Sequence, residues 1–282
     1  MTAASIRLLK FALALGYSVF DTSRAALCGL LGYRISAPVV VLMYHSIKRE
    51  ERARFAEQMN QLVRLAQPVY ADFRNPATDG RRYVAVTFDD GYHSVLENAF
   101  PILRERGIPS TMFVPAQHVG NRPGWITDQR HRDASERLMT PDELREMQKH
   151  GTLIGSHGMT HRALTRISQT EMAAELADSR KTLADMVDQR VDLFALPYGA
   201  GNADVYNTAV ALGYAHVFLN VPVRQNGTPE CLVGRIEVSP TDWPLEYRLK
   251  VCGAYQWMPW AMAAKRRLVN VLRQFVPRTS EH

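Results

Sequence analysis

Residues 84–92 read Val-Ala-Val-Thr-Phe-Asp-Asp-Gly-Tyr, an apolar run that ends directly in two carboxylates and a glycine. The run has the length and composition of a β-strand that is covered on both faces. Neighbouring strand residues point to opposite faces, but a turn at Gly91 can bring Asp89 and Asp90 to one side. A solvated Asp-Asp-Gly turn has the same sequence, so this stretch alone leaves both interpretations open.

Further apolar runs alternate with segments of helical period along the chain, which predicts a parallel α/β sheet or barrel. Such folds bind ligands at the carboxyl ends of their strands, where Asp89 and Asp90 fall. The other predicted strands are Val39–Tyr44, Thr111–Val114, Leu153–Ser156, Leu193–Leu196 and Ala215–Leu219. The predicted helices are Phe55–Leu65, Val95–Arg106, Pro141–His150, Gln169–Val187 and Asp204–Leu212.

Two more predicted strands are followed by residues that can bind a metal ion or take part in catalysis. After Leu153–Ser156 come His157 and His161, four residues apart, a spacing that can present both imidazoles to one metal ion. Such a pair also occurs as ordinary surface or core histidines. A metal site is favoured here because another strand end carries the carboxylates of Asp89 and Asp90. Leu193–Leu196 runs into Pro-Tyr-Gly, where the backbone N–H of Tyr198 can face a developing oxyanion unless the turn is purely structural.

Three motifs in this order resemble those of the polysaccharide deacetylases, carbohydrate esterase family 4, with the NodB homology domain. They are TFDDGY at 87–92, SHGMTH at 156–161 and FALPYG at 194–199, within a similarity that covers roughly residues 38–240. LMTPDEL at 138–144 also resembles the stretch that commonly precedes the metal histidines in this family. The resemblance implies a distorted (β/α) barrel, here with helical terminal appendages, and hydrolysis of an N-acyl group on a sugar.

The resemblance also assigns roles to single residues. It implies that Asp89 is the general base, and that Asp90, His157 and His161 bind a divalent metal, usually zinc. It also implies that the backbone N–H of Tyr198 donates a hydrogen bond to the oxyanion that forms during hydrolysis. A metal ion of this kind lowers the pKa of a bound water and so makes hydrolysis feasible at neutral pH.

The sequence departs from the family pattern in two places. Many members carry an arginine where Ala195 stands, and we expect Arg235 to orient the catalytic aspartate in its place. Many members also supply an acid from a late histidine, which this chain lacks apart from the remote His282. We expect His45, at the end of the first predicted strand, to protonate the departing amine, because histidine titrates in the required range. His118, His131 and His150 are expected to be solvated.

The two ends of the chain combine apolar and basic residues. We predict an apolar or amphipathic helical segment at 1–35, the deacetylase-like catalytic domain at 36–245, and a basic, aromatic helical tail at 246–282. The apolar runs of the first segment are each about ten residues long, whereas a spanning helix needs about 20. Contact with a membrane surface is therefore expected through both ends, where Lys265, Arg266 and Arg267 follow an aromatic cluster. Ordinary packing helices remain the alternative.

The amino-acid composition favours some classes of binding partner over others. The net charge of +6 and the isoelectric point of about 9.3 favour anionic partners, but scattered basic residues without a binding motif argue against nucleic acid. Three cysteines far apart, Cys28, Cys231 and Cys252, and no clear cleavage site favour a peripheral position at the cytoplasmic face of the inner membrane.

The expected substrate is an amino sugar of a glycan or lipid-linked glycan. The alternatives are the same metal site acting on another C–N bond, such as a formamide or cyclic imide, or a catalytically silent glycan-binding module.

Overall fold

A computed structural model describes residues 2–32, 39–74, 81–223 and 228–264. Its β-strands are β1 Val40–Tyr44, β2 Gln67–Val69, β3 Tyr83–Phe88, β4 Ser110–Val114, β5 Thr152–Ser156, β6 Leu193–Ala195, β7 His216–Leu219, β8 Leu232–Gly234 and β9 Ile236–Glu237. Its α-helices are α1 Ala3–Leu30, α2 Arg52–Leu65, α3 His93–Asn98, α4 Phe100–Glu105, α5 Pro141–Lys149, α6 Gln169–Val187, α7 Ala203–Ala211 and α8 Pro244–Val251.

The strands form one parallel sheet in the order β8-β7-β6-β5-β4-β3-β1-β9, with β2 beside the start of β3. β8 and β9 follow one another in the chain with only Arg235 between them, yet β8 pairs with β7 whereas β9 pairs with β1. The segment 232–237 therefore joins the two edges of the sheet and closes it into a barrel. This confirms the predicted (β/α) barrel of the NodB-homology type.

Alternate residues of each strand point into the barrel, and apolar side chains fill its interior. The interior cluster is formed by Val41, Ala71, Ala85, Phe113, Leu193, Ala195, Phe218 and Val233. A larger apolar cluster lies outside the barrel, where strand residues such as Leu42 and Val86 pack against α2, α6 and the other helices. Because both faces are covered, the strands are almost continuously apolar.

The structure corrects two details of the sequence interpretation. The single helix predicted at Val95–Arg106 is two helices, α3 and α4, which meet at Ala99. Pro101 at the start of α4 has no N–H to donate into the preceding turn, which accounts for the break. The strands β2, β8 and β9 were not predicted, because runs of two or three residues are too short to show a period.

The ends of the chain are helical where they are described. α1 covers most of the predicted segment 1–35 and packs along α8, which in turn packs on α2 and β1. Within the ranges described above, no helix combines the length and apolar character needed to cross a bilayer. Lys265, Arg266 and Arg267 of the predicted tail lie outside the described residues.

Candidate active site

A cleft of about 580 Å³ lies at the carboxyl ends of the barrel strands. Six strand ends contribute to it, since residues that follow β1, β3, β5, β6, β7 and β9 all reach its walls. Six of the seven predicted site residues line it: His45, Asp89, Asp90, His157, His161 and Tyr198. The seventh, Arg235, lies buried beneath the cleft, in contact with Asp89. The structure thus brings all seven together.

Asp90, His157 and His161 form a compact buried group. The Oδ1 atom of Asp90 lies 3.2 Å from Nε2 of His161 and 3.6 Å from Nε2 of His157. One ligand atom from each residue lies within 4.8 Å of the others. The chain reaches this arrangement through left-handed backbone, with φ of 71° at Asp90 and 73° at Gly91, which turns the carboxylate of Asp90 toward the histidines.

The electrostatics of this group fit a bound cation. Burial lowers the pKa of His157 to about 4, so its imidazole is neutral at pH 7. Its Nδ1 lies 2.8 Å from the carbonyl oxygen of Ala195 and must carry the proton to bond with it, which leaves a lone pair on Nε2. That lone pair faces Oδ1 of Asp90 at 3.6 Å. Burial raises the pKa of Asp90, but contact with the histidines outweighs burial and lowers this pKa to about 2, so the carboxylate is ionised at pH 7. Facing lone pairs repel each other unless a cation lies between them, and this donor set suits a divalent transition metal.

Asp89 is held by Arg235 rather than by a residue of the third motif. Two parallel hydrogen bonds run from the guanidinium to the carboxylate, Nη1 to Oδ1 at 2.6 Å and Nη2 to Oδ2 at 2.8 Å. Both side chains are buried, and Asn220 accepts a further bond from Nη2. Burial raises the pKa of Asp89, but the Arg235 charge and its hydrogen bonds outweigh that effect and keep the pKa below its ordinary value. Asp89 is therefore an ionised, oriented carboxylate beside the group formed by Asp90, His157 and His161.

His45 and Tyr198 both line the cleft. His45 directly follows β1 and is half-buried beside Asp89 and Asp90. Tyr198 has a left-handed backbone, with φ of 57°, and its exposed ring packs edge-on against His161 with a centroid distance of 4.7 Å. A non-glycine residue in this region costs about 1–2 kcal/mol, so the turn after β6 is held by its surroundings.

Two residues around the site were missed by the sequence interpretation. Trp125 stacks on His161 at a centroid distance of 4.2 Å, from a loop whose sequence carries no local signal. Glu175 of α6 accepts hydrogen bonds from the backbone N–H groups of Met159 and Thr160, each at 2.9 Å. A signal existed for Glu175, which is a carboxylate on the mostly apolar buried stripe of α6.

The expectation for one histidine was wrong. His118 is half-buried rather than solvated, because its ring packs edge-on against Trp125 at 5.0 Å. His131 and His150 are exposed, as expected.

Comparison with known proteins identifies relatives of this arrangement. The sequence profile described as "Polysaccharide deacetylase" matches residues 77–217, half of the chain. Bacillus subtilis YxkH is 27% identical over 192 residues, which are 63% of each chain. A chitooligosaccharide deacetylase of Bradyrhizobium is 27% identical over 165 residues, 57% of this chain and 67% of that protein. The chain spans less than two thirds of the length of YxkH, and 36% of a chitin deacetylase of Arthroderma benhamiae.

Solved structures share the fold over most of the chain. IcaB from Ammonifex degensii superposes with a TM-score of 0.64 at 25% identity, covering 78% of this chain and 98% of IcaB. The Streptococcus pyogenes deacetylase PplD superposes with a TM-score of 0.61 at 20% identity over 76% of this chain and 97% of PplD, a likeness of fold alone. With the profile match over half of its length, the chain belongs to the polysaccharide deacetylase family.

Proposed function

We propose that the protein is a metal-dependent hydrolase that removes an N-acyl group such as acetyl from an amino sugar of a polysaccharide or lipid-linked glycan. The observation that carries the proposal is the buried Asp90, His157 and His161 group beside the Arg235-held carboxylate of Asp89. Relatives named chitooligosaccharide deacetylase and poly-beta-1,6-N-acetyl-D-glucosamine N-deacetylase support an N-acetylated amino sugar as the substrate. The cleft of about 580 Å³ is of the size usual for small-ligand sites.

Asp90, His157 and His161 would hold the divalent cation, and we propose zinc because a carboxylate with two imidazoles is a frequent zinc ligand set. When bound, such a cation acts as a Lewis acid on a carbonyl oxygen and lowers the pKa of water.

Each remaining residue has a defined task in the proposed reaction. Asp89 accepts the proton of the attacking water, and Arg235 fixes both of its oxygens so that the carboxylate stays ionised and correctly turned. The backbone N–H of Tyr198 donates to the oxyanion that forms when water adds to the amide carbonyl. His45 gives its proton to the amine nitrogen as the C–N bond breaks, because a free amide anion is too poor a leaving group.

The test is acetate release from N-acetylglucosamine oligomers together with metal content. Asp89→Asn is expected to lower kcat at least about 100-fold while the protein keeps one metal ion per chain, since proton transfer is lost but the ligands remain. The matched control is Asp185→Asn, at an exposed position on α6, which leaves acetate release unchanged. Undiminished acetate release by Asp89→Asn excludes Asp89 as the base.

Two alternatives have distinct outcomes in the same assay. A hydrolase for another C–N bond releases no acetate but hydrolyses formamides or cyclic imides, and this activity is lost in Asp89→Asn. A silent glycan-binding module binds the oligomers without releasing a product. All four of Asp89, Asp90, His157 and His161 are present, which favours a catalyst over the silent module.

We further propose that the protein contacts a membrane surface through its ends and is peripheral to the cytoplasmic face of the inner membrane. The net charge of +6 supports attraction to anionic headgroups, and the three cysteines are unpaired thiols in the described structure. Cell fractionation with and without a high-salt wash tests the placement, because a peripheral protein leaves the membrane fraction in the wash.

A further inference from the structure

We infer that one face of α1 lies on the surface of a lipid bilayer with anionic headgroups, parallel to the membrane plane. The inference deepens the membrane partner of the proposed function, and it rests on that proposal for its biological meaning. It stands on three observations, which are the attachment of α1 by one stripe, the apolar character of its opposite face, and the charges around that face.

α1 is attached to the barrel along a single stripe. The Arg7 guanidinium donates to the carboxylate of Glu246, with Nε 3.0 Å from Oε2, and lies over the ring of Trp243 at 4.5 Å. The ring of Phe11 meets Trp243 edge-on at 5.6 Å, and Ala14, one turn further, is fully buried. These contacts fix one face of the helix against the segment 241–246 and leave the opposite face to solvent.

The opposite face exposes large apolar side chains. With 100° per residue, seven of them fall within an arc of about 140° that points away from Arg7, Phe11 and Ala14. The exposed fractions are 55% for Leu8, 50% for Leu9, 43% for Leu15, 64% for Val19, 64% for Phe20, 59% for Leu27 and 85% for Leu30. Over 28 residues the helix is about 42 Å long, so this free face of α1 is a long, mostly apolar strip. Monomeric soluble proteins rarely expose patches of this extent unless something covers them.

The charges favour a bilayer over a second copy of the chain as the occupant. Lys10 and Arg24, the latter paired with Asp21 at 2.8 Å, both lie to one side of the free face, from which long basic side chains can reach anionic headgroups while apolar side chains enter the interface. Two copies, each with a net charge of +6, repel one another, whereas anionic lipid attracts both. No described helix is long and apolar enough to span, so α1 must lie in the interface plane.

The attachment of α1 lies next to the wall of the candidate active site. Thr241, whose carbonyl oxygen accepts a bond from Arg7, follows Ser239 and Pro240 directly, and these two residues line the cleft. The segment that holds α1 is therefore continuous in the chain with the cleft wall.

Vesicle co-flotation of the full-length protein tests the inference. Vesicles of phosphatidylethanolamine with phosphatidylglycerol are expected to carry the wild-type protein, and pure phosphatidylcholine vesicles at least about tenfold less. Val19→Glu is expected to weaken binding to the anionic vesicles at least about tenfold, because a carboxylate then replaces a methyl pair at the interface. The matched control is Val63→Glu on α2, also an exposed valine, which retains binding.

Two outcomes with Val19→Glu overturn the inference. One is unchanged vesicle binding by Val19→Glu. The other is a lipid-free dimer that Val19→Glu dissociates, since the free face would then be covered by a second copy. Acetate release from soluble oligomers is measured on the same variants and is expected to be unchanged. If the wild-type protein releases acetate but does not float with anionic vesicles, this inference fails and the proposed function stands. If it floats with them but releases no acetate, the proposed function fails and this inference stands.

Discussion

The two histidines of the candidate metal site are held in different ways. His157 is fixed by the bond between its Nδ1 and the Ala195 carbonyl. The Nδ1 of His161 is buried without a hydrogen-bond partner in the described structure, and its ring is instead stacked on Trp125. The backbone at His161 is left-handed, with φ of 60°, so the loop before it must be held from elsewhere. Glu175 does this by accepting from two consecutive N–H groups and from the Thr160 hydroxyl.

Glu175→Gln is expected to weaken zinc binding about 10- to 100-fold, as is usual when a residue that supports metal ligands is changed. Both loop N–H groups donate to Oε2, so an amide oxygen in that position keeps them and turns the NH₂ group toward the Thr160 hydroxyl. The bond that this hydroxyl donated to Oε1 is then lost, and His161 shifts. Competition with a zinc chelator at pH 7.5 measures the Kd. Glu105→Gln, at an exposed position, is the control and leaves the Kd unchanged. A wild-type Kd in Glu175→Gln would show that the loop holds His161 without Glu175.

The seven predicted site residues could be located from sequence because six of them lie at or just after strand ends, where short motifs show. Arg235 was predicted by a different argument, because Ala195 stands where many family members carry an arginine and another cation was needed to orient the aspartate. The structure shows Arg235 hydrogen-bonded to Asp89. Trp125 could not be found in this way. Its position near the site depends on how a distant loop packs, and no local pattern encodes that.

At the scale of single elements, α5 shows how a local sequence fixes a helix next to the site. Thr140 and Glu143 form a reciprocal cap, in which the Thr140 hydroxyl accepts from the Glu143 N–H and the Glu143 carboxylate accepts from the Thr140 N–H. Arg137 donates two further bonds to the same carboxylate, at 2.7 and 2.8 Å. These bonds with Arg137 are the main cause that lowers the pKa of Glu143 to about 2.

Glu143→Gln is expected to cost about 1 kcal/mol of unfolding free energy at pH 7, since glutamine keeps the cap but loses the charge, and the pair is partly exposed. A lowered folded-state pKa stabilises the protein above the ordinary value of 4.5, and this contribution is lost as the pH falls toward 2. The difference between variant and wild type should therefore shrink below about pH 4.5. Urea unfolding at pH 7, 4 and 3 measures it, with Glu146→Gln on the same helix as the control. A difference independent of pH would contradict the assignment to charge.

Helices and long strands were predictable because period and caps are local features. Gln169–Val187 was predicted with its observed bounds from the spacing of its apolar residues, and the structure shows that Ser168 and Glu171 form a capping box at its start. The break at Ala99 was missed even though Pro101 signals it, because the apolar period continues through α3 and α4. The strands β8 and β9 were missed for a different reason. Their pairing with β7 and β1 is a property of barrel closure, and the sequence of 232–237 does not show it.

At the scale of the whole molecule, the barrel is closed by the seam of residues 232–237. Gly234 pairs with Leu219 of β7, and Ile236 pairs with Leu42 of β1. The chain passes so close to residues 222–223 that a Cβ on Gly234 would lie 2.3 Å from the backbone nitrogen of Val223. Backbone atoms cannot move aside as a flexible side chain can, so only glycine fits at this place in the seam.

Gly234→Ala is expected to lower the free energy of unfolding by about 2 kcal/mol and to reduce acetate release, because the seam must shift and carry Arg235 with it. Chemical denaturation and the oligomer assay measure the two effects. Gly16→Ala, where an added Cβ meets nothing within 4 Å, is the control and should be neutral or slightly stabilising. Full acetate release by Gly234→Ala would show that the seam tolerates the shift.

The location of Arg235 between β8 and β9 has a consequence for every preparation of the protein. The guanidinium meets Asp89 only while the seam bridges β7 and β1. A molecule in which the seam has separated would keep most of its sheet and helices, so its circular dichroism would hardly change, but Asp89 would lose its two bonds with Arg235. Specific activity would then measure the fraction of molecules with a closed barrel and would detect damage that circular dichroism does not show.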